Sequence, residues 1–162
     1  ARMRRRYTSG EFLTACAMLR RAFEDCALTT DVMTGFPGET QAEFDETKDT
    51  CTKAGFARMH VFPYSEREGT NAALMPDSVP RQIREERARE LIALGRVLEK
   101  EALQARVGRE EQVLVEEIDD AGFGVGYTGG YMRVRVKDGK PGEVVRVRIL
   151  GADDEELTGE II

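Results

Sequence analysis

The sequence predicts two structural classes in succession, an α/β segment built on parallel strands and then a small all-β barrel of five strands. Three observations carry this. Up to about Phe62, segments of helical and strand periodicity alternate across short connections, the pattern of parallel strands joined by right-handed crossovers. A long amphipathic stretch follows, and beyond Arg109 the apolar period drops from about 3.6 residues to about 2. The remaining fifty or so residues hold short alternating runs broken by Gly, Asp and Pro, as in a small barrel of the oligonucleotide-binding kind. The boundaries drawn from this are residues 1–77 for the α/β segment, 78–109 for a connecting helix and 110–162 for the barrel.

Thr8 with Glu11 forms a capping box, and Phe12, Cys16, Leu19 and Phe23 recur at helical spacing, which predicts a helix to about Asp25 with that face in a core. Cys26 to Thr34 reads as a strand stopped by the tight loop Gly35-Phe36-Pro37-Gly38. Thr40 and Glu43 repeat the capping box, Phe44, Thr47, Cys51 and Ala54 share one face, and Gly55 ends the helix in a left-handed turn. Arg58 to Phe62 reads as a buried strand with Pro63 as its stop. After Met75 to Pro80, a helix is expected to run to Val107 and Gly108, with Ile83, Leu91, Leu94, Leu98 and Ala102 inward and a solvated Arg/Glu face outward. The five barrel strands are expected at Val113–Glu117, Gly124–Thr128, Tyr131–Lys137, Glu143–Leu150 and Leu157–Ile162.

Composition narrows the function classes. Hydrophobic residues make up 41% and charged residues 33% of the 162, a balance that folds rather than stays disordered. No apolar run reaches the roughly 20 residues that span a bilayer, so the reading is a cytoplasmic protein without a membrane role. Ala1 reads as an added residue ahead of a start in mid-domain. Cys16, Cys26 and Cys51 stand singly without CxxC or CxxxCxxC spacing and are expected to be small buried residues, not metal ligands. The one histidine, His60, is expected to be a satisfied strand residue. No phosphate-loop lysine, GxGxxG or Ser/His/Asp set is present, so no catalytic residue is assigned.

A net charge of -6 argues against a nucleic-acid partner, but its distribution argues for one. Between Tyr127 and Leu150 lie Arg133, Arg135, Lys137, Lys140, Arg146 and Arg148 against only Asp138 and Glu143. Alternation puts Met132, Val134 and Val136 inward and Tyr131, Arg133, Arg135 and Lys137 outward; on the next strand Val145, Val147 and Ile149 go inward and Arg146 and Arg148 outward. Taken as neighbours, these two strands present a basic face on which phosphates bind, with Tyr131 or Tyr127 available to stack on a base. An exposed strand that uses Arg against edge aggregation fits the same pattern equally well. In the α/β segment, Gly35, Phe36, Pro37, Gly38 and Glu39 form a loop at the carboxyl end of a parallel strand, where α/β folds place ligands, with Asp31 just before it; a plain strand-to-helix turn has the same pattern.

The string TTDVMTGFPGET from Thr29 to Thr40, Phe44, HVFPYS from His60 to Ser65, Arg67, Gly69-Thr70, Ala72-Ala73, Met75-Pro76 and the earlier Met3-x-Arg5-x-Tyr7-Thr8 together resemble the methylthiotransferase family of radical S-adenosylmethionine enzymes. Within it, HVFPYS with Arg67 and Gly69-Thr70 looks most like the MtaB branch, which methylthiolates threonylcarbamoyladenosine next to the tRNA anticodon, and Glu111 to Ile162 looks like that family's terminal TRAM domain. The resemblance implies the last βα units of a radical S-adenosylmethionine barrel. It also implies S-adenosylmethionine contacts from Asp31, Gly35, Phe36, Pro37, Gly38, Glu39, Phe62, Pro63 and Tyr64, and two 4Fe-4S clusters in the whole enzyme. Contacts to the tRNA anticodon arm are implied for Tyr127, Tyr131, Arg133, Arg135, Lys137, Arg146 and Arg148. The family's CxxxCxxC motif has no counterpart here, so the chain is expected to be a carboxy-terminal part, inactive alone, binding none of these cofactors fully and prone to self-associate through open sheet edges. Two other readings remain open: a fragment of the branch that modifies a ribosomal protein, and a stand-alone nucleic-acid-binding module.

Overall fold

In a computed structural model of the chain, residues 2–23 and 26–162 are described; Ala1, Glu24 and Asp25 lie outside them. Contacts divide the chain into two compact units, Ala1–Arg21 with Leu28–Arg96 and Ala22–Ala27 with Val97–Ile162.

In the first unit, helix α1 covers Ser9–Ala22, strand β1 Thr29–Thr34, helix α2 Gln41–Ala54 and strand β2 Arg58–Pro63, followed by a single 3₁₀ turn at Asn71–Leu74. Both capping boxes form. Thr8 N donates to the Glu11 carboxylate at 2.8 Å, and Thr40 Oγ1 accepts from Glu43 N at 3.2 Å while Glu43 Oε2 accepts from Thr40 N at 2.9 Å. Gly55, at φ 59°, closes α2 by donating to the carbonyls of Cys51 and Thr52.

The expected face of α1 is only half realised. Cys16 is buried, but Leu19 is 42% and Phe23 60% exposed, and the last turn is instead tied down by Arg20, which donates to the Gly55 carbonyl at 2.6 Å. The predicted helix end, Asp25, lies outside the described residues. Strands β1 and β2 pair in parallel, Thr29 opposite Arg58 through Thr34 opposite Pro63, as the crossover pattern requires. They form a two-stranded sheet, and no closed ring of parallel strands is present among the described residues. His60 is exposed on β2, its ring 5.5 Å from that of Phe62, and not enclosed as its apolar neighbours suggested. Phe44, Thr34, Ala54, Phe56 and Leu91 make the core of this unit.

Helix α3 covers Arg81–Gln104, shorter at its end than the predicted Val107. Its buried side chains are Arg87, Ala88, Leu91, Leu98 and Leu103, while Ile83 is 38% exposed. The solvated face carries the expected i,i+4 pairs, such as Arg81 with Glu85 at 2.6 Å. No helix among the described residues is long and apolar enough to cross a membrane.

The second unit is a closed barrel of strands β3 (Glu110–Ile118), β4 (Gly124–Thr128), β5 (Arg133–Val136), β6 (Val144–Ala152) and β7 (Leu157–Ile161) in the order β3-β4-β5-β7-β6. Only β5 with β7 is parallel. Val113, Val115, Val134, Val136, Val147, Ile149 and Leu157 fill its interior, each at most 1% exposed and each contributing about 1.5–3 kcal/mol by leaving water. Register shifts at Val115/Glu117 and Ile149/Gly151 bend β3 and β6 enough to close so small a ring. The carboxyl end of α3 is stitched to it by Gly108 N on the Ile149 carbonyl and by a buried ion pair, Arg106 Nη1 to Glu111 Oε1 at 2.9 Å.

One expectation fails here. The two arginine-bearing strands are not neighbours, because β7 lies between β5 and β6. Strand β7 pairs in parallel with β5 and antiparallel with β6, and so closes the ring without a free edge.

Candidate nucleic-acid interface

The loop Gly35–Glu39 is held from inside. Gly35 at φ 69° and Gly38 at φ 78° take backbone angles that side chains disfavour, and a Cβ on Gly35 would lie 2.1 Å from Cγ of Arg84. Glu39 Oε2 accepts from Gly35 N at 2.8 Å and from Arg87 Nη1 at 2.7 Å, and Gly38 N donates to the Asp77 carbonyl. Arg84 donates to the carbonyls of Val79 and Tyr64, and its own carbonyl accepts from Thr34 Oγ1. Neither Arg84 nor Arg87 was assigned a role from the sequence, yet both lie on the stripe that continues through Leu91 and Leu98. That spacing was the available signal.

Of the residues expected to touch a cofactor, Phe36 and Tyr64 come together edge to face at 5.6 Å, and Tyr64 is buried with its hydroxyl unpartnered. Asp31 lines an open cleft of about 400 Å³ with Arg5, Tyr7, Phe12 and Thr47. Phe36 and Glu39 line an adjoining cleft of about 340 Å³ with Arg2 and Arg5. Pro37 is enclosed, Pro63 is exposed, and Phe62 turns its ring to His60. Among the described residues no group of three His, Cys, Asp or Glu side chains could hold a metal; Cys16 and Cys51 are buried and Cys26 is half-buried, all as free thiols. The donor set therefore does not fit an iron-sulfur cluster.

On the barrel, β4 and β5 put Tyr127 opposite Arg133 on the outer surface, with Leu114 of β3 opposite Tyr127 on its other side. Every arginine expected to meet RNA has a carboxylate partner. Arg133 Nε lies 3.2 Å from Glu156 Oε2 and Arg135 Nε 2.6 Å from Asp119 Oδ2, with the Arg135 guanidinium 4.4 Å from the centre of the Phe123 ring. Glu110 takes both Arg146 at 2.7 Å and Arg148 at 3.2 Å. Lys137 and Lys140 are exposed without a carboxylate partner among the described residues. The Phe123 N–H first, and then Arg135 and the Ala121 N–H, hold the Asp119 carboxyl below the usual aspartate range; Arg148 and Arg146 do the same for Glu110.

Tyr131 is 86% exposed at φ 59°. Thr128 imposes that geometry: its carbonyl accepts from Tyr131 N, and its hydroxyl accepts from the N–H groups of Gly130 and Met132 at 3.2 Å each. The loop carboxylates Asp119 and Glu156, and the base-sized ring of Phe123, were missed by the sequence reading, since nothing local in the chain ties them to strand β5.

The strand order, the small closed interior and the outward Arg and Tyr residues are those of an oligonucleotide-binding type of barrel. Residues 104–162 match the family of the TRAM domain. This segment is a TRAM domain. The TRAM segment and the α/β unit together are similar to the threonylcarbamoyladenosine tRNA methylthiotransferase of Bacillus subtilis, 40% identical over 99% of this chain and 37% of that protein. They are likewise similar to the tRNA-2-methylthio-N(6)-dimethylallyladenosine synthase of Acidothermus cellulolyticus, 41% identical over 93% of this chain and 32% of that protein. The chain is thus homologous to a carboxy-terminal part of the tRNA methylthiotransferases and spans about a third of their length. The solution structure of a conserved protein of Methanococcus maripaludis aligns with 35% of the chain at 23% identity and a TM-score of 0.32, too distant to bear on the fold.

Proposed function

We propose that this chain is the carboxy-terminal part of an enzyme that methylthiolates threonylcarbamoyladenosine beside the tRNA anticodon, and that its TRAM barrel grips the anticodon arm. The observation that carries the RNA role is the outer face of β4 and β5, where Tyr127, Arg133 and Arg135 share one surface with the exposed ring of Tyr131 at its edge. Guanidinium groups fit phosphate oxygens and an exposed aromatic stacks on any base. Relatives named for tRNA modification support the same reading.

In this reading the α/β unit supplies one wall of an S-adenosylmethionine site. The Phe36-Tyr64 pair, with its unpartnered buried hydroxyl, is the part suited to an adenosine group. S-adenosylmethionine would supply the radical and the methyl group in the whole enzyme, and both iron-sulfur clusters would be bound by other segments, so the chain alone makes no product. The outer edges of β1 and β2, unpaired among the described residues, favour association with another copy, which a single concentration-independent monomer in sedimentation would contradict.

The test is binding of an anticodon stem-loop RNA across a salt series. Affinity should fall steeply as salt rises, and replacing Arg133 and Arg135 together by Ala should weaken binding and flatten that slope. Binding that ignores both changes would remove the RNA role. A second reading, dimethylallyladenosine as the target base, is favoured by the 41% identity to the Acidothermus synthase. Mass spectrometry of tRNA nucleosides from cells lacking the gene separates the two by which methylthio base disappears.

A further inference from the structure

The arginines offered by the TRAM face are already engaged. In oligonucleotide-binding barrels the ligand lies across the second and third strands, flanked by the loops after the first and fourth. Here those are β4 and β5, flanked by 119–123 and 153–156, and each loop lays a carboxylate on an arginine of β5: Asp119 on Arg135 and Glu156 on Arg133. Both loops are fixed in advance. Asp119 Oδ1 accepts from Ala121 N and Phe123 N at 2.9 and 3.0 Å, and Asp153 Oδ1 accepts from Glu155 N and Glu156 N at 2.8 Å each. The ion pairs therefore form without ordering a loop.

Resting on the RNA-binding reading above, we propose that Asp119 and Glu156 occupy the guanidinium positions that RNA phosphates take, so that binding is an exchange of internal carboxylates for backbone phosphates. Arg133 and Arg135 are two residues apart on one strand, about 7 Å, and both must be released for the face to work. A ligand with one phosphate competes poorly against a tethered carboxylate, because the tether gives that carboxylate a high effective concentration. A strand with several phosphates competes well, since Lys137 and Lys140, which have no carboxylate partner among the described residues, hold it while the exchange occurs. The surface thus selects a polynucleotide over mononucleotides and inorganic phosphate.

Glu156→Gln is the clean test, because the loop is closed by the Glu156 backbone N–H, which the variant keeps, whereas the Asp119 carboxylate also shapes its own loop. The full chain is titrated with an anticodon stem-loop RNA and, separately, with a mononucleotide. Glu156→Gln should bind the RNA about two- to fivefold tighter, with a salt slope steeper by about one. Arg133→Ala should then cost more affinity in the Glu156→Gln background than in the wild type. Without any substitution, the Arg133 Nε–H resonance should shift on addition of RNA but not of mononucleotide. If the wild type binds RNA and Arg133→Ala weakens it, yet Glu156→Gln and Glu156→Ala bind no tighter, the exchange idea is wrong and the RNA role stands. If wild type and variants alike fail to bind RNA, the RNA role itself is wrong and the exchange falls with it.

Discussion

Glu39 and Arg87 form an ion pair of 2.7 Å almost wholly out of water, with side chains 12% and 8% exposed. The same carboxylate accepts from Gly35 N, so one pair of side chains locks the Gly35–Glu39 loop to α3. A buried pair contributes little net stability over an apolar replacement, but breaking it strands a charge.

Arg87→Met is accordingly expected to destabilise the α/β unit by about 3–5 kcal/mol, with Glu39→Gln similar in direction. Arg87→Met combined with Glu39→Leu should recover a large part of the loss. Urea unfolding followed by circular dichroism measures this. Additive losses in the double variant would mean that the two residues act separately.

Gly126 faces Val134 and Val115 inside the barrel, where an added Cβ would lie 1.9 Å from the Leu114 carbonyl oxygen. Backbone, unlike the end of a long side chain, cannot step aside. Gly126→Ala should cost the TRAM unit about 3 kcal/mol or more, read as a fall in its unfolding midpoint, while Gly129→Ala, with open space around it, should cost far less.

Tyr131 carries a left-handed backbone on a residue other than glycine and an almost fully exposed ring with no ring or hydrogen-bond partner among the described residues. Strain kept at an exposed aromatic points to a ligand. Tyr131→Gly should raise thermal stability, by up to about 1 kcal/mol, and weaken RNA binding by about 1–3 kcal/mol. Tyr131→Phe should preserve most of the binding. Stability and binding moving in the same direction would argue against stacking by this residue.

What the sequence made legible was local. Thr40 with Glu43 and Gly55 marked both ends of α2, because caps act within a single turn. The alternation in RVRV, Arg133 to Val136, gave the correct inward and outward faces of β5, since side-chain direction follows from backbone pleat alone. Within the barrel, pairing partners were not legible. Nothing in RVRV indicates that β7 rather than β6 lies beside it, and so the partners of Arg133 and Arg135, which come from loops 119–123 and 153–156, could not be foreseen. The role of Arg87 was not legible for another reason: a charged residue on an apolar helical stripe is an exception that Glu39, 48 positions away, explains.

Burial pushes the Cys51 thiol up from its ordinary 9.0 to about 11. Because the folded value is the raised one, its contribution to stability is complete below pH 9 and is lost as pH rises toward 11. Cys51 should therefore resist a thiol reagent at pH 8 in the native chain and react on unfolding, while half-buried Cys26 reacts first. Quantifying the labelled cysteines by peptide mass spectrometry checks this, and rapid native labelling of Cys51 would contradict its enclosure.

RNA contact through the β4–β5 face of the TRAM barrel is the claim on which the other predictions about binding depend. Titrating an unlabelled anticodon stem-loop RNA into the isotopically labelled chain, and following every amide resonance, tests that most directly. The largest shifts should fall on Tyr127, on Tyr131 to Lys137 and on the loops 119–123 and 153–156. Shifts confined to the α/β unit, or to β6, which pairs with neither β4 nor β5, would contradict it.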